Sequence, residues 1–161
     1  KRILETVGPT PLLKPMDHDV EGYHNHLDTL QAAILSAKLP HVEGWIERRR
    51  QLAAAYGQAL SDLPLEIPYV PEGYEHVYRN YVVQVPDRDT VRRHLARRGV
   101  STYLLYIPPV HLQTVYHGRG YRAGDLPITE AVANNLLCLP IYPELAEEQV
   151  AYVGQCLAEA L

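Results

Sequence analysis

The sequence predicts a mixed α/β (α+β) domain, and three observations carry that reading. Helical and strand-like stretches alternate, with a strand, helix, strand order through the middle of the chain. Prolines and glycines fall at the joints between those stretches. At 161 residues and 47% apolar composition, the chain is long enough to enclose one core, so one domain is expected.

Lys1 to Gly8 reads as the last turns of a helix, and Pro9, Pro11 and Pro15 force an extended connection after it. A chain that opens on a helix end and lacks an initial methionine is expected to continue upstream. A polar turn then carries His24, Asn25 and His26. It runs straight into an amphipathic helix over about Leu27 to Leu39, whose Leu27, Leu30, Ala33, Ile34 and Ala37 are expected to pack inward.

Pro40 suits the first position of a second helix. Its apolar face is Val42, Trp45, Ile46, Leu52, Ala53, Tyr56 and Leu60; Glu43, Glu47, Arg48 and Arg50 mark the other. Ser61 to Tyr74, with Pro64, Pro68, Pro71 and Gly73, is a loop. His76 to Val85 is rich in Val and Tyr and ends at Pro86, the pattern of a strand. Asp87 is placed to cap the next helix, which stops at Gly99, and Val100 to Tyr106 reads as a second strand.

Two adjacent prolines, Pro108 and Pro109, exclude a sheet ladder from Ile107 to Gln113. A polar, aromatic loop runs on through Tyr116, His117 and Tyr121 to Asp125, which is expected to cap a short helix from Pro127 to about Asn135. Leu136 to Leu139 offers a third strand, and the closing helix from about Ala146 turns Val150, Val153, Leu157 and Leu161 to one face.

A net charge of −4 excludes general attraction to nucleic acid or anionic membrane. The arginine runs at Arg48 to Arg50 and Arg92 to Arg98 read as solvated helix faces. Cys138 and Cys156 lack Cys-x-x-Cys spacing and read as buried reduced thiols. No apolar run approaches the roughly 18 residues of a membrane span, and no signal-like core opens the chain, so a cytoplasmic protein is expected.

Five ordered stretches carry a resemblance. Gly22-Tyr23-His24-Asn25-His26-Leu27-Asp28, then Gln31-Ala32-Ala33, resembles a Gly-aromatic-Asn-x-Arg-hydrophobic-Asp…Gln-Ala-Ala signature. His76-Val77-Tyr78; Gly99-Val100-Ser101-Thr102 with Tyr106, Pro109, His111 and Gln113; Gly124-Asp125-Leu126-Pro127; and Leu137-Cys138-Leu139-Pro140-Ile141-Tyr142-Pro143 follow in the matching order. Together they resemble the DegT/DnrJ/EryC1/StrS family of pyridoxal-phosphate-dependent sugar aminotransferases.

The resemblance implies the small C-terminal domain of a type I aminotransferase fold, a short, mostly antiparallel sheet packed with helices. Residues 27–161 would form that domain, and residues 1–26 the linker and loop from a large domain. It further implies a homodimer acting on keto-sugar nucleotides. The cofactor phosphate would be met by His24, Asn25 and His26, and the substrate by Tyr106 and His111. No residue of this chain is expected to be catalytic.

Pyridoxal phosphate chemistry needs a lysine amine in a desolvated pocket. Of Lys1, Lys14 and Lys38, none resembles the family's Schiff-base lysine, so no transamination is expected of this chain alone.

Departures gather in the binding loops. His24 and His26 stand for the family's Asn and Arg, Leu105 and Ile107 for a His and a Pro, and Ala146 for a capping Thr. Two other readings stay open: a stand-alone binding or oligomerisation module derived from the family without catalysis, and a small metal-binding protein. The metal reading would use Asp17, His18, Asp19, His24, His26 and Asp28, although no pair among them has helical i, i+4 ligand spacing.

Overall fold

The computed structural model describes residues 17–18, 20–23 and 26–161. The helix end expected over Lys1 to Gly8, the proline-rich connection and the His24-Asn25 pair lie outside them. The chain divides into two compact units, one of Lys1–Glu21 with Leu105–Asn134 and one of Gly22–Leu104 with Asn135–Leu161.

The second unit is mixed α/β. Its sheet pairs β1 (Tyr81–Gln84) with β2 (Leu136–Leu139) antiparallel, Tyr81 opposite Leu139 and Val83 opposite Leu137. The strand expected over His76 to Val85 forms only over Tyr81–Gln84; Tyr81, Val83 and Val85 are buried while Val82 and Gln84 are half-buried, the alternation of a pleated strand. All four residues of β2 are buried, since both of its faces are covered. The expected strand over Val100 to Tyr106 shrinks to a single bridge between Tyr103 and Cys138, as Glu66 makes one with Gln84.

Four helices belong to this unit in chain order: α1 (Thr29–Lys38), α2 (Val42–Ala59), α3 (Arg88–Arg97) and, after β2, the closing helix Glu147–Ala158. Leu52, Tyr56 and Leu60 around α2, Val91 and Leu95 of α3, and Val150, Val153 and Leu157 of the closing helix share one core with Val83, Leu137 and Leu139. Leu161, expected on that face, is 39% exposed. Tyr56 stacks on Tyr81 with ring centroids 4.7 Å apart and donates its hydroxyl to the Pro140 carbonyl at 2.8 Å. The closing helix comes so near α2 that a Cβ at Gly154 would lie 3.2 Å from that of Ala59.

The helix ends obey local chemistry. Gly99, at φ +77, closes α3 with bonds from its own N–H to Ala96 and from Val100 N–H to Leu95, a Schellman arrangement with Val100 and Leu95 both buried. Asp87 sits at the start of α3 as expected, but at φ +43 and with no side-chain capping bond; its carbonyl receives Thr90 and Val91 instead. Ala146 has no acceptor in its side chain, so only the Gln149 half of a capping box forms, Ala146 N–H donating to Gln149 Oε1 at 3.0 Å.

Two further expectations fail. The arginine run is no solvated face. Arg48 donates to the Leu145 carbonyl and to Glu147, Arg49 to the carbonyls of Tyr78, Arg79 and Ile141, and Arg50 to the His76 carbonyl and Glu75. In the second run Arg92 is only 9% exposed, while Arg93, Arg97 and Arg98 are exposed as expected. A guanidinium presents five donors, and the loops around α2 supply carbonyls with no ladder partner, which explains the first correction. The second failure is α1. It forms as expected, with Asp28 accepting from Leu30 N–H at 2.7 Å and Gln31 receiving Asp28 N–H at 3.4 Å. Its apolar face does not pack inward: Leu27, Leu30, Ile34 and Leu35 are 60%, 69%, 47% and 54% exposed. Periodicity announces an apolar stripe but not what covers it.

Candidate functional site

The first unit is built on loops and held by carboxylates. After the cis Ile107–Pro108 bond come two 3-10 turns, Val110–Leu112 and Thr114–Arg119, and then the helix α4 (Pro127–Asn135), which lies between α3 and the closing helix, α5, in chain order. The two prolines do exclude a sheet ladder here.

Glu130 lies one turn into α4. Its carboxylate folds back to accept Gly124 N–H at 2.9 Å on each oxygen, Leu126 N–H at 3.3 Å and the His111 ring through Nε2 at 3.1 Å. These N–H groups lie just ahead of the helix, where donors have no partner of their own, and a carboxylate beside a helix N-terminus is favoured by its dipole. The Gly124 bonds, then the His111 bond, hold the Glu130 carboxyl below the usual carboxylate range. Gly124 itself sits at φ +94, so the turn requires a residue free to adopt that backbone. Asp125, expected to cap the helix, instead accepts Arg122 N–H at 2.8 Å and closes the preceding turn.

Asp17 makes a similar junction. Its Oδ1 accepts Thr114 N–H at 2.8 Å and its Oδ2 accepts the Thr114 hydroxyl, while Val115 N–H donates to the His18 carbonyl at 2.8 Å. The Thr114 hydroxyl and then its N–H lower the Asp17 pKa. Glu21 pairs with Arg119 at 3.1 Å.

Among the expected site residues, His111 is the one built into this arrangement. It is 8% exposed and meets Tyr121 edge to face, with centroids 6.2 Å apart. Gln113, 6% exposed, reaches toward the Pro108 carbonyl at 3.5 Å. Tyr106 is 65% exposed at φ +52, a left-handed backbone that costs about 1 kcal/mol or more in a residue of its size. No hydrogen bond or ring contact joins it to His111. His26 is exposed, and His24 and Asn25 lie outside the described residues.

Sequence reasoning misses Glu130 and names Asp17 only as a candidate metal ligand, because each binds backbone N–H groups, which leave no spacing signature. The available hint is a Glu in the first turns of a Pro-led helix, as at capping sites. For metal, no three His, Cys, Asp or Glu side chains converge among the described residues, and Asp17 and Asp28 are engaged as caps. No described helix is long and apolar enough to cross a membrane.

The family model for DegT/DnrJ/EryC1/StrS aminotransferases matches residues 2–158. This chain belongs to that family. Among family relatives, a protein of Geobacillus stearothermophilus called a pleiotropic regulatory protein is 41% identical, over 88% of this chain and 39% of its own length. The UDP-N-acetyl-3-dehydro-alpha-D-glucosamine 3-aminotransferase of Acidithiobacillus ferrooxidans is 35% identical, over 89% of this chain and 38% of its own. A crystal structure of DesV from S. venezuelae superposes with a TM-score of 0.80 at 35% identity, covering 91% of this chain and 40% of DesV.

The chain thus spans about two fifths of the length of the relatives it matches, in line with the expected C-terminal domain. The mixed fold with a short antiparallel sheet agrees with the family as well. Family members use pyridoxal phosphate. Lys38, the one described lysine, is exposed at the last turn of α1, so the described residues do not fit a covalent attachment.

Proposed function

We propose that this chain is the part of a pyridoxal-phosphate-dependent aminotransferase that lines the pocket for a keto-sugar nucleotide and completes a homodimer interface, without catalysing transfer by itself. The observation that carries the reading is the family match over residues 2–158, joined by relatives named as sugar-nucleotide aminotransferases. In the whole enzyme pyridoxal phosphate supplies the electron sink for moving an amino group, in the cytoplasm. This chain's residues supply binding and orientation.

His111, fixed by Glu130, and Tyr106, exposed and held at positive φ, contact the sugar nucleotide. His24, Asn25 and His26 donate to the cofactor phosphate, where imidazole replaces the family's guanidinium and amide. The uncovered apolar face of α1 supports a docking role, since exposed apolar stripes on a folded helix mark an interaction surface.

The test is to purify the natural gene product and supply pyridoxal phosphate, glutamate and dTDP- or UDP-linked 3-keto and 4-keto sugars. Amino-sugar nucleotide and 2-oxoglutarate, formed in equal amounts and followed by mass spectrometry, are expected. If neither forms with any sugar while the protein is folded, the reading fails. A second reading, a regulatory or oligomerisation module without catalysis, gains from the regulatory name carried by the relative at 41% identity, and the same null result would favour it.

A further inference from the structure

Glu130 does more than cap a helix, and the bonding of His111 shows what. An ionised carboxylate only accepts hydrogen bonds, so the ring nitrogen 3.1 Å from Glu130 Oε1 must carry the hydrogen. That nitrogen is Nε2. The other, Nδ1, has no hydrogen-bond partner among the described residues and is not among the buried unpaired atoms, so it reaches solvent although the residue as a whole is 8% exposed.

The ring is held from two further sides. Tyr121 lies edge to face with it, and His111 itself belongs to the turn Val110–Leu112, closed by Leu112 N–H on the Pro109 carbonyl at 2.8 Å. Glu130 in turn cannot swing away without surrendering Gly124 and Leu126 N–H. A buried imidazole with one nitrogen fixed as donor and the other open is a directed acceptor.

We infer that Glu130 is a positioning residue: it fixes His111 with hydrogen on Nε2, so that Nδ1 accepts a hydrogen bond from a hydroxyl of the sugar in a nucleoside-diphosphate sugar. The inference rests on the substrate role proposed for His111 and adds the atom that makes the contact and the residue that orients it. Glu130 touches no substrate. Replacing it acts through the ring.

The experiment is long-range 1H–15N correlation of the natural gene product carrying 15N-histidine, with H111Q to assign the signal. In the wild type, His111 is expected with hydrogen on Nε2 and a bare Nδ1. In E130M, which keeps length but no acceptor, the two tautomers should exchange; E130Q, whose amide oxygen still accepts, should restore the wild-type pattern. Hydrogen on Nδ1 in the wild type overturns the inference, as does an E130M spectrum unchanged from it.

Titration with dTDP-glucose is then expected to move the Nδ1 resonance and leave Nε2 near its place, with the apparent affinity falling about tenfold in E130M. If dTDP-glucose binds by calorimetry without moving Nδ1, the acceptor role is overturned. Should neither dTDP-glucose nor UDP-N-acetylglucosamine bind at all, the substrate reading of His111 falls, and the tautomer spectra still decide what Glu130 does.

Discussion

The two units are held by different physics. Around Tyr81 and Leu137, stability comes from apolar side chains at or near zero exposure; around Glu130 and Asp17 it comes from carboxylates that each collect several N–H or O–H donors. Apolar burial is non-directional and spreads over many residues. A carboxylate hub concentrates its effect in one titratable group, so acid and single substitutions should reach it first.

Leu52→Ala tests the apolar unit hardest. It removes a side chain at 0% exposure, and a loss of about 3 kcal/mol in urea unfolding is expected. A loss below about 1 kcal/mol would mean that apolar burial holds this unit less firmly than the contrast requires. Arg49→Met comes next: it strands the carbonyls of Tyr78, Arg79 and Ile141, at a cost of about 2 kcal/mol in the same measurement.

Proton linkage separates the units. The Glu130 pKa is lowered in the folded state, so its contribution is full above the unfolded value, about 4.3, and disappears as pH falls through the lowered value. Tyr81 behaves in the opposite sense. Burial, and less so the charge of Tyr78, pushes it up to about 12, so its contribution is full below about pH 10 and is lost as pH rises toward 12. The hydrogen-exchange protection of the Gly124 and Leu126 amides, relative to their intrinsic rates, should therefore fall in acid before that of the core amides, and Tyr81→Phe should flatten the alkaline loss. Simultaneous response of both regions in acid would remove the distinction.

Two smaller effects sharpen it. Ala146→Thr restores the missing acceptor at the start of α5 and should add about 1 kcal/mol to stability by thermal unfolding. Leu30→Glu with Ile34→Glu, on the uncovered face of α1, should change unfolding free energy by under about 0.5 kcal/mol yet weaken self-association in analytical ultracentrifugation. A large loss of stability would place that face inside the fold.

This contrast also governs what the sequence made legible. The Val- and Tyr-rich run that ends at Pro86, the apolar face of α2 and the glycine stop at Gly99 are local patterns, and each led to the right element, the strand shorter than expected. His111 was found through resemblance, and its partner Glu130 was not found, because two bonds from Gly124 and one from His111 join residues whose spacing follows no period. The arginine run misled for a related reason. Its charges were visible, but the unpaired carbonyls that take them up exist only after the loops close.

Gly154 leads to a different kind of conclusion. A glycine inside a helix costs about 1 kcal/mol relative to alanine, and here a methyl would sit 3.2 Å from the Ala59 Cβ, so Ala59 would have to yield by a few tenths of an ångström. Sliding α5 by one turn would bring Val150 or Ala158 to that crossing, each with a Cβ that the present spacing holds too close to Ala59. The missing side chain thus acts as a detent: it lets the last helix seat in one register along α2, and a misaligned docking has no neighbouring notch to settle into.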